Sequence, residues 1–592
     1  MKTKDVKLDK EARMTKSAAA RPMRRRKDAD PFPPFPRRFA PEGIDAGSRH
    51  DLDLLFMDLE DRPLPSPAAV ERWLQDWSEL ASVVAEEESR RYIAHTCHTD
   101  DPEAERKYLD FQNTIVPFVK PRWQHLKQKY AASPHRTALD PARYRVLDRA
   151  VLSEIELYRE DNVPLETRDA ELVVQWQKIS GAMTVQFEGE ERTLPQMMRV
   201  LDETDRRRRE SAWRATAERR LKDREAIDAI YDEMVRNRDR RARNAGFANF
   251  RDYAFKDKGR FDYTPDDCRR FHDAVAEHVV PVLRRLHDER RKKLKLEILR
   301  PWDLAVDPDG APPLRPFAKA EELVRGVGDI FRRIDPALAR IFEGVRDLGN
   351  LDLESRKGKA PGGYQCTLDA QRVPFIFMNA AGLQRDVITL LHEGGHAFHA
   401  VFARNDPLLM YRSSPTEFAE VASMGMEALG IAHLEAFYPK AEAARARRTW
   451  FEEIFRIFPW IATIDAFQHE VYLRPEASAG DRRAMWVAQR ARFKGGDDWS
   501  GLEEAHASQW HAQMHPFCVP FYYIEYAIAQ IGALQVWRNA RKDRRRALER
   551  YRSALTLGGS RPLPELFKAA GGKFGLDART LKPLIKAVKA EL

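Results

Sequence analysis

The stretch 386–400, DVITLLHEGGHAFHA, places His392 and His396 four residues apart, with Glu393 directly after the first histidine. In a helix, four residues turn through about 400°, so the two imidazoles stack on one face a turn apart. That spacing can hold a single zinc ion, and Glu393 then lies close to any water bound there. Val387, Leu390, Leu391 and Phe398 recur at helical intervals and predict a buried opposite side. Asp386 reads as the cap at the start, and Asn405-Asp406-Pro407 as the end. Gly394 and Gly395 each cost roughly 1 kcal/mol in a helix interior relative to alanine, which predicts a close approach to the backbone at that point. An HExxH string also arises by chance in proteins that bind no metal. A third ligand, a substrate-binding edge and transition-state donors must therefore come from elsewhere in the chain.

After Pro407 the chain reads SSPTEFAEVAS, residues 413–423. Ser414 as cap, Pro415 at the first helical position and Glu417 three residues past the cap predict a helix start. Glu417, Glu420 and Glu427 follow on that helix. A catalytic zinc site takes three protein ligands and keeps one position open, and two histidines with a glutamate form a known set. Glu417 has a capping role to fill, so Glu420 is the expected third ligand. Glu417 and Glu427 are expected to orient the histidines. His399 stands roughly 10 Å along the helix from His392, too far for both to meet one ion, and reads as structural.

Two extended segments precede the histidine helix. KGKAPGGYQCT (357–367) is glycine-rich, and VPFIFMN (373–379) is short and β-rich. Together they predict a small sheet whose edge could take a peptide as an added strand. Downstream, residues 515–526 read HPFCVPFYYIEY. Pro520 suggests a helix start, and Tyr526 shares a face with Tyr522 and Tyr523. Hydrolysis at zinc builds negative charge on the carbonyl oxygen, and a neutral imidazole or phenol donor there can contribute about 3 kcal/mol.

The rest of the chain reads as a helical scaffold. Trp73, Leu74, Trp77, Leu80 and Val84 form one apolar stripe. Residues 202–244 are long and charged, and Arg206 to Arg209 read as a solvated face. Residues 184–191 suggest a small hairpin turning at Gly189, and helices break near Pro281 and Pro301. With 592 residues, 43% hydrophobic and 33% charged, the chain fits a large, charge-rich, helical protein with no apolar run of membrane-spanning length. Cys97, Cys268, Cys366 and Cys518 form no CxxC pair, which fits a reduced, cytoplasmic compartment.

The net charge of +9 is concentrated at one end, because residues 1–38 alone carry a net +8. The body is nearly neutral, which argues against nucleic acid as its partner. Arg24-Arg25-Arg26-Lys27 and the PFPPFP run after it read as a disordered tail and an extended linker. The division expected from sequence is a leader (1–43), an N-terminal helical domain (44–200) and a catalytic domain (201–592).

Taken together, KGKAPGGYQC, VPFIFMNAAG, DVITLLHEGGHAFH, SPTEFAEVASMGME and HPFCVPFYYIEYAIAQIGALQVW resemble the zinc peptidases of the thimet oligopeptidase and oligoendopeptidase F family, more closely the second branch. The likeness extends more loosely from about residue 45 to LGGSRPLPELFKAAGGKFGLD near the C-terminus. It implies a mostly α-helical, two-lobed fold around a deep channel, with a small β-sheet beside the HExxH helix. It also implies one zinc ion per chain on His392, His396 and Glu420, with Glu393 as general base. His515 and the tyrosines of FYYIEY match the block that polarises the substrate, with Tyr526 as first choice over Tyr522 and Tyr523. Gly362, Gly363 and Tyr364 match the segment lining the substrate strand. The resemblance departs at Gly394, where the family has Phe or Leu. The expected activity is endopeptidase cleavage of short peptides. The alternatives are a related HExxH metallocarboxypeptidase and a non-enzymatic binding protein using the basic tail.

Overall fold

Helix follows helix through most of the chain, because proline and short polar residues start one helix after another. In a computed structural model, which describes residues 32–592, Ser48, Ser66 and Asp140 cap the helices Arg49–Asp61, Pro67–Cys97 (α1) and Pro141–Leu157. Their apolar faces bury Leu52, Phe56, Trp73, Leu74, Leu80 and Val84 in one core, with Trp77 at its margin. That core runs through Val151 and takes in Leu408 and Tyr411 from far along the chain, while Leu157 belongs to a larger core that reaches Val588.

Arg24 to Lys27 lie outside the described residues. Residues 32–43, expected as part of a loose leader, rest on the body. The backbone amides of Arg38, Phe39 and Ala40 donate to the Glu79 carboxylate at 2.8–3.0 Å, and the Arg372 guanidinium covers the Phe35 ring at 4.0 Å.

The hairpin forms as expected, with β1 (Thr184–Phe187) antiparallel to β2 (Glu190–Thr193). The arginine run after it is a solvated face only in part: Arg207 is exposed and Arg206 and Arg208 are half-buried, but Arg209 is buried. The run opens the helix Arg206–Lys222 (α2), where Arg206 and Arg209 both donate to the Asp303 carboxylate. Arg209 is 2% exposed and Asp303 fully buried. A carboxylate taken out of water needs cations beside it, and Arg209 follows it inward while Arg206 reaches it from the surface. The helix Pro265–His278 (α3) ends just before Pro281, at Val279.

A three-stranded sheet lies against the histidine helix, in the order β3-β5-β4. β4 (Tyr364–Leu368) and β5 (Val373–Ala380) are the two expected extended segments and run antiparallel. β3 (Leu351–Glu354), which the sequence did not suggest, pairs parallel with β5. β4 is thus an outer strand. Beyond the sheet come α4 (Gln384–Ala403), α5 (Thr416–Gly430), α6 (Lys440–Leu473) and α7 (Tyr523–Lys542). No helix among the described residues is long and apolar enough to cross a membrane.

Candidate metal centre

α4 buries Val387, Leu390, Leu391 and Phe398 completely, as their spacing requires. Asp386 caps its start from the third helical position rather than from the N-cap, which is Leu383. It stands in the first turn, and its carboxylate accepts from the backbone amides of Ala381 and Leu383 at 2.7 and 2.9 Å, so it closes the loop before the helix. The two glycines have distinct reasons. A Cβ on Gly394 would stand 2.5 Å from the Phe331 ring. One on Gly395 would stand 2.6 Å from both the Ala422 carbonyl oxygen and the Ser423 Cα. α5 therefore crosses α4 backbone to backbone at Gly395, and that contact carries Glu420 to the histidines.

α5 begins at Thr416 with Pro415 at the cap position, and no side chain caps it; Ser414 Oγ has no hydrogen-bond partner. Glu417, expected to cap or to orient a histidine, is turned inward and accepts from Tyr263 Oη at 2.7 Å. Glu420 Oε2 stands 3.2 Å from His392 Nε2 and 3.7 Å from His396 Nε2. The imidazole rings are 4.9 Å apart and inclined at 79°. One donor atom from each of the three residues lies within 4.8 Å of the other two.

Second partners fix these groups. Glu427 Oε1 is 2.7 Å from His392 Nδ1, and Glu427 Oε2 accepts from Trp450 Nε1 at 3.1 Å. Ser423 Oγ donates to Glu420 Oε2 at 2.9 Å. Trp450 and Ser423 were not singled out from the sequence. Ser423 carries a legible signal, three residues past Glu420 on the same helix face. Trp450 carries none, since it arrives from α6.

The electrostatics suit a cation. Burial works against a charge on His392, yet hydrogen bonds with Glu420 and Glu427 outweigh it and hold the imidazole well above its ordinary value. Burial would raise Glu420, but His392 and His396 hold it down to about 2. His396 is pushed down to about 4 by burial and by the charge of His392. The side chains of Glu420 and Glu427 thus flank one imidazole, an arrangement that favours positive charge at the cluster. Two imidazole nitrogens and a carboxylate oxygen are the donor set of a catalytic zinc site. Glu393 is 6% exposed. Burial and, more weakly, Glu420 and Glu427 push it up to about 7, against His392 and a hydrogen bond from the Gln365 backbone on β4.

Across from this cluster stand His515 and three tyrosines. α7 does not start at Pro520. Phe521 has φ +64°, its amide donates to Gln468 Oε1 at 2.8 Å, and its carbonyl accepts from Arg260, so the turn is pinned and the helix starts at Tyr523. Tyr526 Oη is 3.5 Å from His515 Nε2. The Tyr522 and Tyr526 rings are 5.1 Å apart. Tyr523 Oη is already engaged, donating to Gln513 Oε1 at 2.8 Å. Burial and Lys258 push His515 down to about 4, so it is neutral at working pH. Burial, then the Glu420 charge, raise the Tyr522 and Tyr526 phenols, which stay protonated. Gln513 also lines a cavity of about 650 Å³ walled by Trp213, Arg220, Trp460 and Phe493.

Gly362 and Gly363 lead into β4, and a Cβ on Gly363 would stand 3.6 Å from the Thr389 side chain of α4. Tyr364 turns away from the cluster. Its ring stacks on Phe377 at 4.8 Å, and its hydroxyl meets Thr96 Oγ1 of α1 at 2.6 Å.

A sequence model described as peptidase family M3 matches residues 199–584. The chain is 24% identical over 315 residues to the oligoendopeptidase F homolog of Borreliella burgdorferi, covering 48% of this chain and 49% of that protein. It is 24% identical over 319 residues to oligopeptidase PepF of Bacillus subtilis, covering 52% and 46%. The matches thus span about half the length of these curated relatives. A solved structure of PZ peptidase A with an inhibitor superposes at a TM-score of 0.85 with 26% identity, over 93% of this chain and 98% of that one.

Proposed function

The chain belongs to peptidase family M3, and from that premise we propose that it is a zinc-dependent endopeptidase that hydrolyses internal bonds of short peptides. The observation that carries the reading is the convergence of His392 Nε2, His396 Nε2 and Glu420 Oε2, with buried Glu393 beside them. His392, His396 and Glu420 would hold one zinc ion. Bound there, zinc would act as a Lewis acid, lowering the pKa of water and polarising the scissile carbonyl.

The chain's own groups do the rest. Glu393, buried next to His392, would serve as general base and then as general acid. It would take the proton of the attacking water at its carboxylate and deliver it to the leaving amine nitrogen. Neutral His515 and the Tyr526 hydroxyl would donate to the carbonyl oxygen as negative charge grows there. Tyr523, whose hydroxyl is committed to Gln513, would hold the block in place. Glu427 would fix the orientation of His392 through Nδ1. The outer edge of β4, entered through Gly362 and Gly363, would take the peptide backbone as an added strand. Tyr364 would support that strand from behind.

Incubating the protein with a short unstructured peptide and mapping the products by mass spectrometry tests this reading. Internal cuts that stop with a chelator are expected. Stepwise loss of C-terminal residues would instead mark a metallocarboxypeptidase, and an uncut peptide would remove the enzymatic reading.

A further inference from the structure

A second group of ligating side chains lies buried between α3 and α6. Cys268 and His272 are four residues apart on α3, and Asp465 and His469 are four apart on α6. Each pair therefore shares one helix face, and the two faces meet. Cys268 and Asp465 are 0% exposed and His469 6%. One donor atom from each of these three lies within 4.8 Å of the others.

The hydrogen bonding of this group is incomplete. His272 Nε2 meets Asp465 Oδ2 at 2.8 Å, which satisfies that oxygen. Asp465 Oδ1 has no partner, and neither ring nitrogen of His469 makes a hydrogen bond, although Nε2 is 3.3 Å from Asp465 Oδ2. Phe255 and Phe521 pack nearly perpendicular to the His469 ring, with centroids 5.9 and 5.4 Å away, and offer it no hydrogen-bond partner. Buried polar atoms normally find partners, and several left over in one place call for an explanation.

We propose that Cys268, Asp465 and His469 form a second metal site, distinct from the His392–His396–Glu420 cluster, for a zinc-class divalent ion that cross-links α3 and α6. The ligand types select the metal. A thiolate and an imidazole suit zinc or cobalt, whereas calcium and magnesium take oxygen ligands. Binding is balanced in charge. The Cys268 thiol gives its proton to solvent, and the thiolate and the Asp465 carboxylate offset the two positive charges of the ion. His272 holds the outer oxygen of Asp465 and so orients the carboxylate, as a second partner does at an ordinary metal ligand.

The site has a mechanical consequence. His469 packs on Phe521, and its neighbour Gln468 accepts the Phe521 amide at 2.8 Å. Phe521 is the left-handed residue immediately before Tyr522. An ion on His469 would stiffen the turn that sets the tyrosine block.

A site this deeply buried is loaded as the chain folds, so the test uses protein made in cobalt-supplemented medium. The full chain carrying His392→Ala and His396→Ala, with the second cluster intact, is expected to retain one cobalt per chain and a thiolate-to-cobalt charge-transfer band. Adding Cys268→Ser should abolish the band and lower cobalt content by one equivalent. A folded His392→Ala/His396→Ala protein without cobalt overturns the proposal, as does a band that survives Cys268→Ser. Should the Cys268→Ser protein not fold, cobalt content and the band in the cluster-intact variant decide on their own.

Discussion

Glu427 Oε1 lies 2.7 Å from His392 Nδ1, on the far side of the ring whose Nε2 faces Glu420 Oε2 at 3.2 Å. The imidazole is held from both ends, so with an ion on Nε2 the remaining ring proton would sit on Nδ1, facing Glu427. Glu427→Gln should keep the fold and weaken metal affinity by about 10- to 100-fold. Competition with a zinc chelator measures this, and an unchanged affinity would contradict the role.

Gly395 is where α4 and α5 meet backbone to backbone. Gly395→Ala puts its Cβ 2.6 Å from the Ala422 carbonyl oxygen and the Ser423 Cα, neither of which is a flexible side chain. The substitution should destabilise by roughly 1–3 kcal/mol and move Glu420 away from the histidines. Urea denaturation with metal analysis would show both effects. Gly394→Ala meets only the Phe331 ring and should leave metal content intact.

Tyr526 and Tyr523 separate by what their hydroxyls already do. Tyr523 donates to Gln513 at 2.8 Å, while Tyr526 stands 3.5 Å from His515 Nε2. Tyr526→Phe should lower kcat about 10²- to 10³-fold with metal content unchanged. Tyr523→Phe should cost far less. Equal losses in the two variants would point to a shared packing role instead.

Burial, then His396, pushes His399 down to about 3, against about 6.5 for an unfolded histidine. A depressed histidine leaves stability intact above the unfolded value and erodes it as pH falls from there toward the folded value. The erosion is up to about 1.4 kcal/mol per pH unit for one proton. His399→Phe lacks this proton, so its stability should fall less steeply than wild type between pH 6.5 and 5. Urea midpoints across that range test the difference, and parallel slopes would contradict it.

The legible parts of the site were those written along one helix. The positions of His392, Glu393 and His396 follow from spacing alone, and Gly394 and Gly395 announced a close approach without naming what comes close. Glu420 was legible because few acids follow at the right distance. Trp450, Tyr263 and Gln468 were not, since each reaches the site from a remote segment and satisfies a local periodicity of its own. Caps were misread for a related reason. Ser414 and Pro520 suit a helix start, but Pro415 takes the first cap position, and the bonds of Arg260 and Gln468 to Phe521 accompany the second start, at Tyr523. Arg209 looked solvated because its partner, Asp303, lies 94 residues away.

The most direct measurement is turnover of a short peptide by Glu393→Gln, made alongside metal analysis of the same sample. The amide keeps the size of the side chain but cannot take a proton. Metal content should equal that of wild type, and kcat should fall by about 10²- to 10⁴-fold. Wild-type turnover in a fully metallated Glu393→Gln protein would contradict the account.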